Sequence, residues 1–156
     1  MNIETLEKFL FQLQETLEPI FGKIEISPID TIKGAWLDRD GEVLVERFGI
    51  YCFVLEDLEV VYIGKADESS LAGRIWSHVK TPSVEREASP DRQGIVVYPS
   101  IDWSEDEYLA NTLRRGEFSL RAFEIKPKHY SSLFEVAVQI FCKDQGSFPA
   151  LNRRIG

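Results

Sequence analysis

GIYCFVLEDLEVVYIG, residues Gly49–Gly64, holds two short apolar runs on either side of an acidic interruption, Glu56-Asp57-Leu58-Glu59. β-Branched and aromatic residues bounded by polar ones predict two strands of a hairpin. The connection carries no Asn-Gly pair, so a four-residue loop fits better than a tight two-residue turn. Either even-length loop pairs Leu55 with Val60, Phe53 with Tyr62 and Tyr51 with Gly64. Side chains alternate along a strand, so Tyr51 and Tyr62 stand on the same face as diagonal neighbours. Both faces of the first run are apolar, which makes it a central strand covered from both sides.

Downstream of the hairpin, Ser69 or Ser70 can cap a helix whose apolar stripe is Leu71, Ile75 and Val79. Arg74 and His78 are also four residues apart and share a neighbouring face. Lys80–Gly94, with Pro82 and Pro90, reads as loop, and Ile95–Tyr98 as a short strand. Ser104 and Glu107 form a capping box, with Trp103 and Tyr108 as its hydrophobic staple. Arg114 and Arg115 fall in the last turn of that helix and Gly116 ends it. Phe118–Ile125 is a strand closed by Pro127, and Ser131 or Ser132 opens a final helix through about Lys143.

That last helix is apolar on most sides, and only Glu135 and Gln139 interrupt it, one turn apart on one face. A carboxylate in such a helix either bears a desolvation cost, pairs with a cation such as Arg74 or Lys65, or binds a metal.

Upstream, Ile3, Leu6, Leu10, Leu13 and Leu17 make an amphipathic helix over residues 2–21 that ends near Pro19 or Gly22. It docks on its own domain; the stripe also allows a homodimer seam or a protein partner. Ile24–Ile26 reads as a short strand closed by Pro28. Trp36-Leu37 and Val43–Val45 read as a second hairpin about an Asp40-Gly41 turn.

At 156 residues the chain is one domain, residues 1–47 forming a helix-and-hairpin extension packed on a core of residues 48–156. No run approaches the ~20 apolar residues of a membrane span, so a cytoplasmic protein without membrane contact is expected. Cys52 and Cys142 lie in apolar stretches and read as buried reduced thiols. The net charge of −8 weighs against a nucleic-acid partner, but it is uneven. Residues 1–108 carry 10 basic and 22 acidic side chains, whereas residues 109–156 carry 8 and 4. A basic half can still present a positive groove.

The tripeptides Gly49-Ile50-Tyr51 and Tyr62-Ile63-Gly64, with ten residues between the tyrosines, resemble the signature of the GIY-YIG nuclease superfamily. The helical Arg74-x-x-x-His78 pattern is similar to its restriction-enzyme branch. Glu135 and the Asn152 of Phe-Pro-Ala-Leu-Asn follow in the family's order. The likeness spans residues 49–152, with a long interval after Arg74 as a departure.

The resemblance implies an α+β fold: a small, largely antiparallel sheet flanked by helices. It implies an endonuclease that hydrolyses DNA phosphodiesters, with RNA left open as substrate, and a Mg²⁺ ion (or Mn²⁺) on Glu135. Tyr51 then takes the proton of the attacking water, Tyr62 positions that water or the phosphate, and Arg74 stabilises the phosphorane charge. His78 orients a tyrosine or the water. Lys65, Asn152, Arg114 and Arg115 are candidates for contact with the substrate, and Gly49 and Gly64 are structural. A phenol is a poor base at neutral pH, and Arg74, Lys65 and the metal are expected to pull the Tyr51 midpoint below that of free tyrosine. The competing reading is a non-catalytic module of the same fold that binds nucleic acid or a protein.

Overall fold

The computed structural model describes residues 1–78, 106–152 and 154–156. Its centre is an antiparallel four-stranded sheet in the order β1-β4-β2-β3, where β1 is Glu25–Lys33, β2 Gly49–Val54, β3 Val60–Ala66 and β4 Ser119–Lys126. Every residue of β2 is buried, as expected of a strand apolar on both faces. The tyrosine registers hold, with Tyr51 opposite Gly64 and Phe53 opposite Tyr62.

At the hairpin tip the expected Leu55–Val60 pair gives way. Val54 faces Val60 across a bulge, because the Leu55 amide donates to Glu59 O and leaves an odd, three-residue tip. Leu58 supplies the left-handed residue such a tip needs, at φ 67°.

Helices cover both faces. α1 (Ile3–Phe21) and α5 (Ser131–Asp144) close one side, burying Leu6, Leu10, Phe134 and Val138 against Ile50, Cys52, Ile63 and Phe123. α3 (Leu71–His78) and α4 (Glu107–Arg114) bound the other, where Leu71, Ile75, Leu109 and Leu113 meet Tyr51, Phe53 and Tyr62. α1 starts on an Asn2 cap that accepts from the Glu4 amide and ends at Gly22, in a positive-φ conformation. Both cysteines are buried and free, and burial pushes the Cys142 thiol up to about 11. None of the described helices is long and apolar enough to cross a membrane.

The second hairpin does not form. Gly34–Leu44 is a chain of short helical turns that includes α2 (Leu37–Asp40). Asp40 and Gly41 both have negative φ, −102° and −72°, so they cannot make the primed turn that Asp-Gly suggested. Leu37 and Leu44, seven residues apart, instead bury one helical face.

β1 is longer than expected and passes through Pro28 to Lys33. As an edge strand paired only with β4, it tolerates the missing amide. Its buried residues do not alternate: Ile26 is buried on one face and Ile29 on the other, and a bulge after Ile29 keeps Ile32 in the same cluster as Ile29.

α4 begins at Glu107 with Asp106 as its cap, accepting from the Leu109 amide. The expected strand Ile95–Tyr98, Trp103, Ser104 and the Val79 end of the α3 stripe lie outside the described residues.

Candidate active site

Alternation along β2 and β3 places Tyr51, Tyr62 and Gly64 on the face under α3. The phenol rings of Tyr51 and Tyr62 are 5.9 Å apart between centroids. Gly64 makes that approach feasible: a Cβ there would stand 2.6 Å from Tyr51 Cζ and 2.9 Å from Tyr62 Cε1. Gly49 is needed for a different reason, since its Cβ would fall 1.9 Å from the backbone oxygen of Phe123 across the β2–β4 pair. Both glycines are structural, as expected.

α3 brings the next two residues. Ser70 caps it by accepting from the Gly73 amide. Arg74 is exposed, whereas His78 is only 2% exposed and sits among the rings, 5.3 Å from Tyr62 and 6.1 Å from Tyr51. Four residues apart they do not share a face in the sense of equal access. His78 continues the buried Leu71–Ile75 stripe and Arg74 borders it. Burial, and then the Arg74 charge, push the His78 imidazole down to about 4, so it is neutral at pH 7.

Glu135 arrives from the other side of the sheet. α5 packs on the face opposite the phenols and against β3, and its Glu135 is only 6% exposed. Its Oε2 is buried with no hydrogen-bond partner among the described residues. Burial raises its pKa against the pull of Lys65 and Arg74, with Asp67 adding to the rise. Arg74 therefore acts electrostatically on Tyr51, Tyr62, His78 and Glu135 together, and Glu135 acts on both phenols. Residues from β2, β3, α3 and α5 share one field.

The titration of the phenols runs opposite to expectation, and three further candidates are placed by their own partners. Burial, not the nearby cations, governs both phenols. Tyr51, whose hydroxyl is sealed from solvent beside the Tyr62 phenol, is held well above the ordinary value, and Tyr62 is raised as well. Arg74 pulls both down without overcoming the desolvation, so the Tyr51 midpoint does not fall below that of free tyrosine.

Lys65 alternates onto the opposite face of β3 from Tyr62. Its ammonium donates to Ser132 Oγ at 2.6 Å and pairs with Asp67 at 3.1 Å, so it is committed away from the phenols.

Asn152 spends both ends of its amide on Ile63: Oδ1 accepts from the Ile63 N–H and Nδ2 donates to the Ile63 carbonyl, each at 2.8 Å. With the Leu151 amide donating to Val61 O, the tail covers the free edge of β3. Asn152 thus lies beside the site, as a clasp on the strand.

Arg115 is held in a two-bond pair with Glu117, at 2.7 and 2.8 Å. The side chain of Arg114 lies outside the described residues.

Two participants escaped the sequence reading. Asp67 and Ser132 look like a loop acid and a helix cap, yet Ser132 Oγ donates to Asp67 Oδ2 at 2.7 Å and completes a triad with Lys65. The adjacency of Ser132 to the Glu135 turn was the available signal.

No group of three or more His, Cys, Asp and Glu side chains capable of holding a metal occurs among the described residues. A lone carboxylate with a buried, unpartnered oxygen still fits Mg²⁺, which keeps several waters and rarely takes an all-protein cage. Comparison with protein-family models, with curated proteins and with solved structures finds no match.

Proposed function

We propose that this chain is a divalent-metal-dependent endonuclease that hydrolyses DNA phosphodiesters through a site of the GIY-YIG type. The observation that carries the reading is the packing of the Tyr51, Tyr62 and His78 rings against one another under the helix that carries the exposed Arg74, together with a buried Glu135 oxygen that has no partner among the described residues.

The exposed Arg74 offers a planar two-pronged donor to the scissile phosphate and remains beside the phenols as charge builds on phosphorus. Glu135 would hold Mg²⁺ or Mn²⁺ through its unpartnered oxygen, and the bound ion would supply Lewis-acid stabilisation of the phosphate and the leaving 3′ oxygen.

With Tyr62 ionised as phenolate, the water's proton passes to it and leaves a neutral phenol, as the water oxygen bonds to phosphorus and the P–O3′ bond breaks. Of the two phenols, Tyr62 is the less buried, so we assign it the acceptor role first expected of Tyr51. Tyr51, beneath it, donates a hydrogen bond to the Tyr62 phenolate before the proton arrives. His78, neutral and packed against the Tyr62 ring, fixes its orientation.

The alternative is a non-catalytic module that binds nucleic acid or a protein. It draws support from the sealed Tyr51 hydroxyl and the net charge of −8.

Supercoiled plasmid DNA incubated with Mg²⁺ or with a chelator separates the two readings. The nuclease reading expects nicked or linear product only with the metal, and its loss in Arg74→Lys, whose ammonium cannot reproduce the fork. Intact plasmid in the presence of folded wild-type protein and Mg²⁺ would favour the binding module.

A further inference from the structure

α5 begins without an ordinary cap, since Tyr130 at the cap position makes no side-chain hydrogen bond to the helix. What fastens its first turn is Ser132. The hydroxyl donates to Asp67 Oδ2 at 2.7 Å and accepts from Lys65 Nζ at 2.6 Å, while Lys65 and Asp67 close the triangle at 3.1 Å. All three side chains are part-buried. Lys65 belongs to the last turn of strand before β3 ends at Ala66, and Asp67 follows immediately. The triad therefore ties the end of the tyrosine-bearing strand to the start of the glutamate-bearing helix.

Glu135 is three residues beyond Ser132, one helical turn away on an adjoining face. Its apolar neighbours on α5, Phe134 and Val138, sink into the core under the sheet. The polar triad joins the end of β3 to the first turn of α5, one turn before Glu135, and both Lys65 and Asp67 bear on the Glu135 carboxylate.

We propose that Ser132, bridged between Lys65 and Asp67, is a positioning residue that latches α5 to β3 and fixes the Glu135 carboxylate where it can hold a divalent cation. The proposal rests on the metal-dependent reading above. It assigns Lys65 to the latch in place of the substrate phosphate. Outer hydrogen bonds that orient a metal ligand commonly change metal affinity by about 10–100-fold when lost, and an effect in that range is expected.

The test is Mn²⁺ affinity of the full chain by isothermal titration calorimetry, with melting temperature measured in parallel. Ser132→Ala should weaken Mn²⁺ binding by roughly tenfold or more, and Ser132→Thr, which keeps the hydroxyl, should restore it. Asp67→Asn keeps an acceptor but loses the charge and should weaken binding to a smaller extent; it also serves if Ser132→Ala does not fold. Arg121→Met breaks an unrelated pair with Glu7, 3.5 Å long, and should leave the affinity unchanged.

Unaltered affinity in both Ser132→Ala and Asp67→Asn overturns the latch, as does equal weakening by Arg121→Met. Wild-type protein that binds no Mn²⁺, or Glu135→Gln that binds as well as wild type, overturns the metal reading itself and the latch with it.

Discussion

The Tyr51 hydroxyl lies directly over Gly64: a Cβ on that glycine would be 2.7 Å from the oxygen and 2.6 Å from Cζ of the ring. The two residues also face one another in the β2–β3 register, so the strand pairing itself creates the slot into which the phenol folds. Tyr51 is fully buried and cannot yield outward without displacing Tyr62 or Phe53, whose rings are 5.9 Å away.

Gly64→Ala should accordingly destabilise the fold by about 1–3 kcal/mol, the usual cost of overpacking a core. It should also abolish cleavage by moving the phenol pair. Gly73→Ala is the internal control. That glycine is exposed on α3 with nothing closer than 3.6 Å to a Cβ, so alanine should be neutral or stabilise by up to about 1 kcal/mol. Urea unfolding of both variants checks the contrast, and equal behaviour would show that the Tyr51–Gly64 contact is not a constraint.

Glu135 is a carboxylate buried with one oxygen unpartnered, which is costly in a fold of marginal stability. Glu135→Gln should raise stability by about 1 kcal/mol at neutral pH, because it removes the charge but keeps the shape. The same variant should lose metal-dependent cleavage. A melting temperature below that of wild type would indicate that the carboxylate has a stabilising partner and is not held open for a ligand.

The hairpin was legible because its signal is local: apolar runs, an acidic gap and two tyrosines in phase. The same local logic failed at Asp40-Gly41, where buried Leu37 and Leu44 select helical turns over the turn chemistry of the dipeptide. It missed the hairpin bulge because Leu58 adopts a left-handed conformation that no glycine advertises. His78 lies three residues after Ile75 and so on the core stripe, but its chemical type suggested a site residue at the surface. The charge of Lys65 was readable, but its committed partner Ser132 is 67 residues away, and only the packing of α5 on β3 brings the two together.

Assigning the proton to Tyr62 separates the two phenols in experiment. Tyr62→Phe should reduce single-turnover cleavage by about 10²–10⁴-fold, as for loss of a general base. Tyr51→Phe should cost roughly 10–100-fold, the worth of a hydrogen bond to a charged oxygen. It should change stability little, since the hydroxyl removed is sealed from solvent and faces only the Tyr62 phenol. Because burial raises both phenols, the wild-type rate should climb through the neutral range and show no plateau below about pH 10. A larger defect in Tyr51→Phe than in Tyr62→Phe would return the acceptor role to Tyr51.

His78 makes the last prediction, one of stability and not of rate. Its imidazole is enclosed by Tyr51, Phe53 and Tyr62, with the Arg74 charge bearing on it, and titrates at about 4 in the fold. In the unfolded chain it returns to about 6.5. A group depressed in this way contributes stability that is fully present above the unfolded value and is lost as pH falls through the folded one. Between pH 7 and pH 4 the loss amounts to about 3 kcal/mol at most, at 1.36 kcal/mol per unit of displacement. Carboxylates titrate over part of the same range, so the wild-type curve alone cannot isolate the histidine. His78→Phe fills the aromatic enclosure without a titrating group and leaves the carboxylates as they are. Urea unfolding of both proteins at pH 7, 5.5 and 4 should show the wild type losing stability faster on acidification, with the two curves diverging below about pH 6.5. Parallel curves across that window would mean that the His78 imidazole takes up its proton without leaving the core, and that Arg74 and the rings around it do not exclude the charge.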